Sequence, residues 1–244
     1  MIRAGVMLAA FREAPFYPVE AITGGAPVLV LAPHPDDESL GFGGLIAGAV
    51  EQGTEVHIAV LTDGAASHPG SRTYPPERLK RVREAETHAA VAELGVDAER
   101  VVFLAAPDAG APTEGPTFAL LTGRLEQIIK HRNIRLLLTT WRHDPHCDHA
   151  AAALLAAAVA RATGVRTLAA PVWGWTLADD YRLPGPVPTA MRLDITAQLP
   201  AKRRAIAAHI SQTTNLIGDS ADGFRLQPDF LAQFDRPWEV YIAP

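Results

Sequence analysis

The sequence predicts an α/β fold with a mainly parallel central sheet covered by helices on both faces. Three observations point there. Short β-rich apolar runs alternate with longer helix-compatible stretches. The runs are continuously apolar rather than alternating, as strands buried on both faces are. The connections between them are short, so strand–helix–strand units repeat and return by right-handed crossovers.

The elements follow in order. "PVLVLA" (27–32) reads as a buried strand, and "SLGFGGLIAGAVEQG" as a helix stopped by Gly53. "EVHIAVLT" (55–62) is a second strand, followed by the charged helix "PPERLKRVREAETHAAVAELG" ending at Gly95. "RVVFLA" (100–105), a third strand, leads into the helix "TFALLTGRLEQIIKHRN". "IRLLLTT" (134–140) is a fourth strand, the alanine-rich segment after His149 a fourth helix, and "VRTLAA" (165–170) a fifth strand. Residues 171 to 195 break this rhythm with prolines, two tryptophans and an Asp-Asp pair, and predict a loop or lid. "AQLPAKRRAIAAHISQ" returns to helix, and the tail "WEVYIAP" reads as an added edge element. With no internal repeat or low-complexity linker, the expectation is one domain over 1–244, with a core of about 26–212 and a C-terminal extension after it.

Bulk properties exclude several classes. The 244 residues are 48% hydrophobic and 20% charged, with net charge −5, so nothing draws the chain to nucleic acid or anionic lipid. Cys147 is the only cysteine and permits no intrachain disulfide, which suits a reducing compartment. "MIRAGVMLAAFREA" lacks a clean signal-cleavage pattern. The longest apolar run, 150 to 160, is too short and alanine-rich to span a bilayer core of about 30 Å. The expectation is a cytoplasmic protein without a membrane span. Its oligomeric state is not legible, and a homo-oligomer stays open.

The chemistry gathers at two strand ends. In "VLVLAPHPDDESLGFGG" (28–44) a buried run stops at His34, Asp36, Asp37 and Glu38. Ligands of open parallel α/β sheets bind at the carboxyl ends of strands. Clustered carboxylates repel unless a cation sits among them; a divalent metal meets that need, and a histidine nitrogen suits zinc. His34 and Asp37 can converge on one ion, leaving Asp36 to reach a bound water as general base. Alone, the segment also reads as a solvated turn whose acids favour a helix N-terminus. The second cluster, "TTWRHDPHCDHAAA", lowers that reading, because it puts His143, Asp144, His146, Asp148 and His149 at another strand end. His34, Asp37 and either His146 or His149 then make two nitrogens and one carboxylate with an open position, which suits metal-assisted hydrolysis of an amide or ester.

With both clusters placed, the pattern resembles the PIG-L/LmbE-like zinc-dependent N-acetylglucosaminyl deacetylase family. The family turn, His-Pro-Asp-Asp-Glu, reads here "PHPDDESLGFGG", with Pro33 where alanine is more usual; the later His-x-Asp-His reads "HCDH". Weaker matches are "VLTDGAASHPG", "RVREAETHAAVAELGV" and "KRRAIAAHISQ". The resemblance implies a Rossmann-like three-layer sandwich in which one Zn2+ per chain is held by His34, Asp37 and His149. It implies Asp36 as general base and His146 as second catalytic histidine; spacing alone does not choose between His146 and His149. The donor set would also accept Fe2+ or Co2+. The implied substrate is a small-molecule amino-sugar conjugate carrying N-acetylglucosamine, as in glycolipid precursors, thiol cofactors or glycopeptide antibiotics.

Other residues carry plainer readings beside the sharp ones. Asp63, Arg83 and Asp144 are candidate substrate contacts, though Asp63 also suits a turn and Arg83 with Glu86 a solvated helix pair. Asp144 and Asp148 also read as acceptors that hold histidine tautomers. Cys147 reads as packing, His68 as solvated, and Trp173 and Trp175 as sugar-stacking or core; His209, Ser211 and Gln212 have no assigned role. Competing functions are an amidase acting on a related conjugate, a non-haem iron oxygenase using a His-x-Asp…His triad on an all-β fold, and a sugar-binding domain without catalysis.

Overall fold

The structure, a computed structural model, describes residues 1–243; Pro244, which ends the expected tail element, lies outside them. In chain order the elements are β1 (Ile2–Arg3), α1 (Ala4–Arg12), α2 (Val19–Thr23), β2 (Val28–Ala32), α3 (Asp37–Glu51), β3 (Val56–Thr62), α4 (Pro76–Glu93) and β4 (Val101–Ala106). Then come α5 (Gly115–His131), β5 (Leu136–Thr140), α6 (Cys147–Thr163), β6 (Arg166–Ala170), β7 (Arg182–Leu183), β8 (Ala190–Asp194), α7 (Leu199–Ala208), α8 (Ile210–Thr213), α9 (Pro228–Leu231) and β9 (Trp238–Ile242).

Seven strands form one sheet in the order β4-β3-β2-β5-β6-β9-β8. The first five are parallel, and β9 runs antiparallel to both its neighbours. This is the three-layer α/β sandwich the sequence predicts, not the all-β fold of the oxygenase reading. The two-residue period of a strand divides the apolar runs between two cores. Val28 and Val30 of β2 face one side with Phe42, Leu45 and Ile46 of α3 and Val91 of α4. Leu29 and Leu31 face the other with Leu121 and Leu125 of α5 and Leu155 and Val159 of α6.

Two expectations need correction. The stretch 171–195 holds a short 3₁₀ turn at 173–176, β7 and β8 rather than loop alone. The tail is not an edge: β9 lies between β6 and β8, and β8 forms the edge. Val240, Tyr241 and Ile242 are all buried, which an edge position would not provide on both sides. Among the described residues, no helix is long and apolar enough to cross a membrane.

The "GFGG" run is explained by close packing. A Cβ at Gly44 would stand 2.4 Å from Ile195 Cγ2, and one at Gly43 would stand 3.0 Å from Lys202 Cγ. Small residues there let α3 approach α7 and the segment before it. A buried ion pair holds the same junction: Glu239 of β9 takes Lys202 Nζ at 2.6 Å and the amides of Gly44 and Leu45 at 2.7 and 2.9 Å.

Strand order reverses beside β2, since the chain goes to β3 and β4 on one side and to β5 and β6 on the other. Such a switch point opens a crevice at the carboxyl ends of the strands. β2 ends in the His34–Glu38 turn and its neighbour β5 leads to the His143–His149 segment, so the two clusters share that crevice.

Candidate active site

Asp37, the first residue of α3, receives an imidazole from each cluster. Its Oδ2 lies 3.1 Å from His34 Nδ1 and 3.2 Å from His149 Nε2. The backbone N–H of His34 also donates to this oxygen at 3.0 Å, which closes the turn. Each ring is anchored from behind by its other nitrogen. His34 Nε2 lies 3.0 Å from Asp148 Oδ2 and 3.4 Å from Asp108 Oδ1, and His149 Nδ1 lies 2.9 Å from Asp144 Oδ2. Carboxylates behind metal-ligating histidines fix the tautomer and raise ligand basicity.

The residues fit a divalent metal. His149 Nε2 is buried and faces Asp37 Oδ2 at 3.2 Å without a well-directed hydrogen bond, so once it gives up its proton its lone pair points to where Asp37 and His34 converge. Two imidazoles and a carboxylate are a catalytic zinc donor set, and equally a facial iron triad, so the donors do not choose the ion. His34, His146 and His149 also bring ring nitrogens within 4.8 Å of one another, putting His146 at the same centre.

The electrostatics are those of a negative cradle. Burial pushes the His149 imidazole down, but the charge of Asp37 and the bonds to Asp144 and Asp37 hold it up at about 9. His34 is likewise opposed by burial yet raised well above the usual histidine range by Asp108, Asp148 and Asp37. Burial works against ionisation of Asp37, and the two histidines outweigh it and hold its carboxyl well below the usual range.

Asp36 precedes the helix with φ 140° and ψ −28°, a conformation non-glycine residues seldom adopt. Burial lifts its carboxyl to about 6 against the opposing charge of Arg83. Arg83 NH2 donates to Asp36 Oδ2 at 3.1 Å and to the Pro35 carbonyl at 2.6 Å, and NH1 donates to the Gly64 carbonyl at 3.0 Å. His146, at the start of α6, is only partly buried, and its Nδ1 accepts the Asp148 N–H at 3.2 Å. A neutral ring so held carries its proton on Nε2 and is a donor there. Burial first, and then the neighbouring histidines, push its pKa down, favouring that neutral form.

Of the three expected substrate contacts, two are spent on protein groups. Arg83 is 3% exposed and engaged as above, and its pairing with Glu86 as a solvated surface contact is also corrected, since Glu86 is buried. Asp144 is buried, and its oxygens accept the amides of Val172, Trp173 and Gly174 besides His149, which leaves no free face for a substrate. Asp63 is half-buried and accepts the Ala65 amide at 3.1 Å in a tight turn. Asp148 serves His34 and the amides of Ala109 and Ala111. Cys147 is exposed rather than packed, and His68 is buried against Ser67 rather than solvated. Trp173 stacks on Phe230 at 4.2 Å. Sequence reading missed Asp108, held down at about 2 with burial opposing and the His34 bond the main lowering cause. Its signal was an acid two residues past a strand's carboxyl end.

A family model described as PIG-L: GlcNAc-PI de-N-acetylase matches residues 29–160, the stretch that carries both clusters. The chain belongs to the PIG-L family. This PIG-L chain is 28% identical, over 77% of its length and 81% of the relative's, to a 1D-myo-inositol 2-acetamido-2-deoxy-alpha-D-glucopyranoside deacetylase of Rhodococcus erythropolis. Among solved structures it is similar to the zinc-inhibited form of teicoplanin deacetylase Orf2, with TM-score 0.66 and 19% identity over 88% of this chain and 97% of that one. It is also similar to N,N'-diacetylchitobiose deacetylase from Pyrococcus horikoshii, with TM-score 0.59 and 22% identity over 78% and 71% of the two chains. At these identities the two structures share the PIG-L chain's fold.

Proposed function

We propose that this chain is a zinc-dependent hydrolase that removes acetyl from an N-acetylated amino sugar in a small N-acetylglucosamine-type conjugate. The observation that carries the reading is the meeting of His34 Nδ1 and His149 Nε2 at Asp37 Oδ2, 3.1 and 3.2 Å away, with Asp36 next in the chain. His34, Asp37 and His149 would hold the ion. A divalent metal bound there supplies Lewis acidity toward a water and an amide carbonyl.

The remaining chemistry falls to side chains. Asp36, with its carboxyl at about 6, is ionised at neutral pH yet basic enough to take a proton from the attacking water. His146 presents Nε2–H as a neutral donor to the oxygen that gains charge, and can pass a proton to the leaving amine. Asp144, Asp148 and Asp108 hold the two ligand rings in place. The Rhodococcus erythropolis relative is a deacetylase of an inositol 2-acetamido-2-deoxy-glucopyranoside, and this supports the same substrate class here.

The test is metal content with a linked assay. Protein purified without chelator should carry about one zinc per chain and release acetate from some member of a panel of N-acetylglucosamine conjugates, with a chelator abolishing release. No bound metal and no affinity for added zinc would sink the reading.

A further inference from the structure

Two buried charged groups beneath the site take no part in the chemistry above. Glu38 is fully buried and His209 is 1% exposed, and they meet at 2.8 Å between Oε1 and Nε2. The other oxygen of Glu38 accepts the backbone N–H of Asp36 at 3.0 Å, and Ser39 Oγ donates to Oε1 at 2.7 Å. Glu38 therefore does not serve as a solvated helix-end charge. It reaches back two residues and grips the peptide of Asp36, the residue with φ 140°. Such a conformation persists only where the surroundings over-determine it.

His209 is delivered by a break in the chain. It sits between α7 and α8 with φ −79° and ψ 62°, which turns its ring onto Glu38. The break is pinned by Ser211, whose N–H and Oγ donate to the Glu86 carboxylate at 2.7 and 2.6 Å. Glu86 lies on α4 one turn after Arg83, which holds the Asp36 carboxylate from the other side. The peptide and the carboxylate of Asp36 are thus clamped separately, the first through Glu38 and the second by Arg83. A buried carboxylate needs a charged or hydrogen-bonding partner to stay ionised, and His209 is that partner for Glu38.

We propose that Glu38, braced by His209, is a positioning residue that fixes the peptide of Asp36 and so aims the general base, without contributing to metal affinity. The proposal rests on the reading of Asp36 as base. It assigns His209 and, through Glu86, Ser211 to one clamp.

Two conservative variants separate reach from charge. Glu38→Gln keeps an oxygen that can accept the Asp36 N–H, whereas Glu38→Asp keeps the charge but falls short of it. Each is assayed for kcat and KM on the conjugate that the wild type cleaves best, for zinc stoichiometry, and for the visible spectrum of the cobalt-loaded protein. Glu38→Asp should lose at least ~10-fold in kcat, approaching the ~10²-fold scale of a lost general base, with KM, zinc and cobalt spectrum unchanged. Glu38→Gln should keep kcat within about 3-fold, the scale of one preserved hydrogen bond. Any other pattern overturns the proposal: equal activity in both, loss in Glu38→Gln alone or in both, or an altered cobalt spectrum. Asp36→Asn is the control. If the wild type releases no acetate the functional reading fails, and if Asp36→Asn stays active the base assignment fails; otherwise the outcome bears on Glu38 alone.

Discussion

His149 and Asp144 meet at 2.9 Å, and the same Asp144 oxygen accepts the amides of Val172 and Trp173. The ring that faces the metal position is therefore tied, through one carboxylate, to the turn that follows β6. Asp144→Asn turns an acceptor into a donor facing donors. Affinity for zinc should fall about 10–100-fold, the usual effect of losing the carboxylate behind a ligand histidine. Competition against a chromophoric chelator measures it; unchanged affinity would remove Asp144 from the metal site.

Metal uptake should release protons. In the metal-free protein His149 titrates at about 9 and His34 well above its ordinary value, so both rings carry protons at neutral pH. A metal binds only the neutral ring. Affinity should therefore weaken as pH falls and rise with pH at least through the His149 value of about 9, with about two protons released per ion at pH 7. Calorimetry in buffers of differing ionisation enthalpy counts them. Asp37, held well below the usual carboxylate range, contributes none.

Gly64 has φ +65°, and a Cβ there would lie 2.6 Å from Arg83 NH1. Gly64→Ala combines backbone strain with displacement of the guanidinium that holds Asp36. It should cost about 1–3 kcal/mol in stability and lower turnover while zinc content stays at the wild-type level. Denaturant titration and single-substrate kinetics test the two halves separately.

Lys202 and Glu239 are both buried and form an ion pair at 2.6 Å. Lys202→Met leaves the carboxylate without its cation. The expected loss is about 3–5 kcal/mol, read by chemical denaturation. A change below about 1 kcal/mol would mean that the amides of Gly44 and Leu45 and the Tyr241 hydroxyl satisfy Glu239 unaided.

Local pattern made the parallel half of the fold legible. β2, β3 and β5 are continuous apolar runs ended by turn residues, and periodicity reads such runs directly. β8 was hidden among prolines, and the place of β9 depends on partners far away in the chain, which no local period encodes. The convergence of His34, Asp37 and His149 was legible because titratable clusters stood at two strand ends. Glu38 stood in the first of these clusters, but its pairing with His209, 171 residues away, carried no such signal. Arg83 and Glu86 looked like a surface pair because helical spacing reports a shared face without saying whether that face is covered.

The position of β9 bears on how the molecule comes to be finished during synthesis. A chain emerging from the ribosome completes its five parallel strands early, but β8 has no sheet neighbour until residues 238–242 appear. Glu239, which ties the backbone of α3 and the side chain of Lys202, arrives with them. The helix that begins at Asp37 is therefore locked by a residue made 195 positions after Gly44, so a nascent chain, or one clipped before β9, holds the right side chains on an unfastened frame.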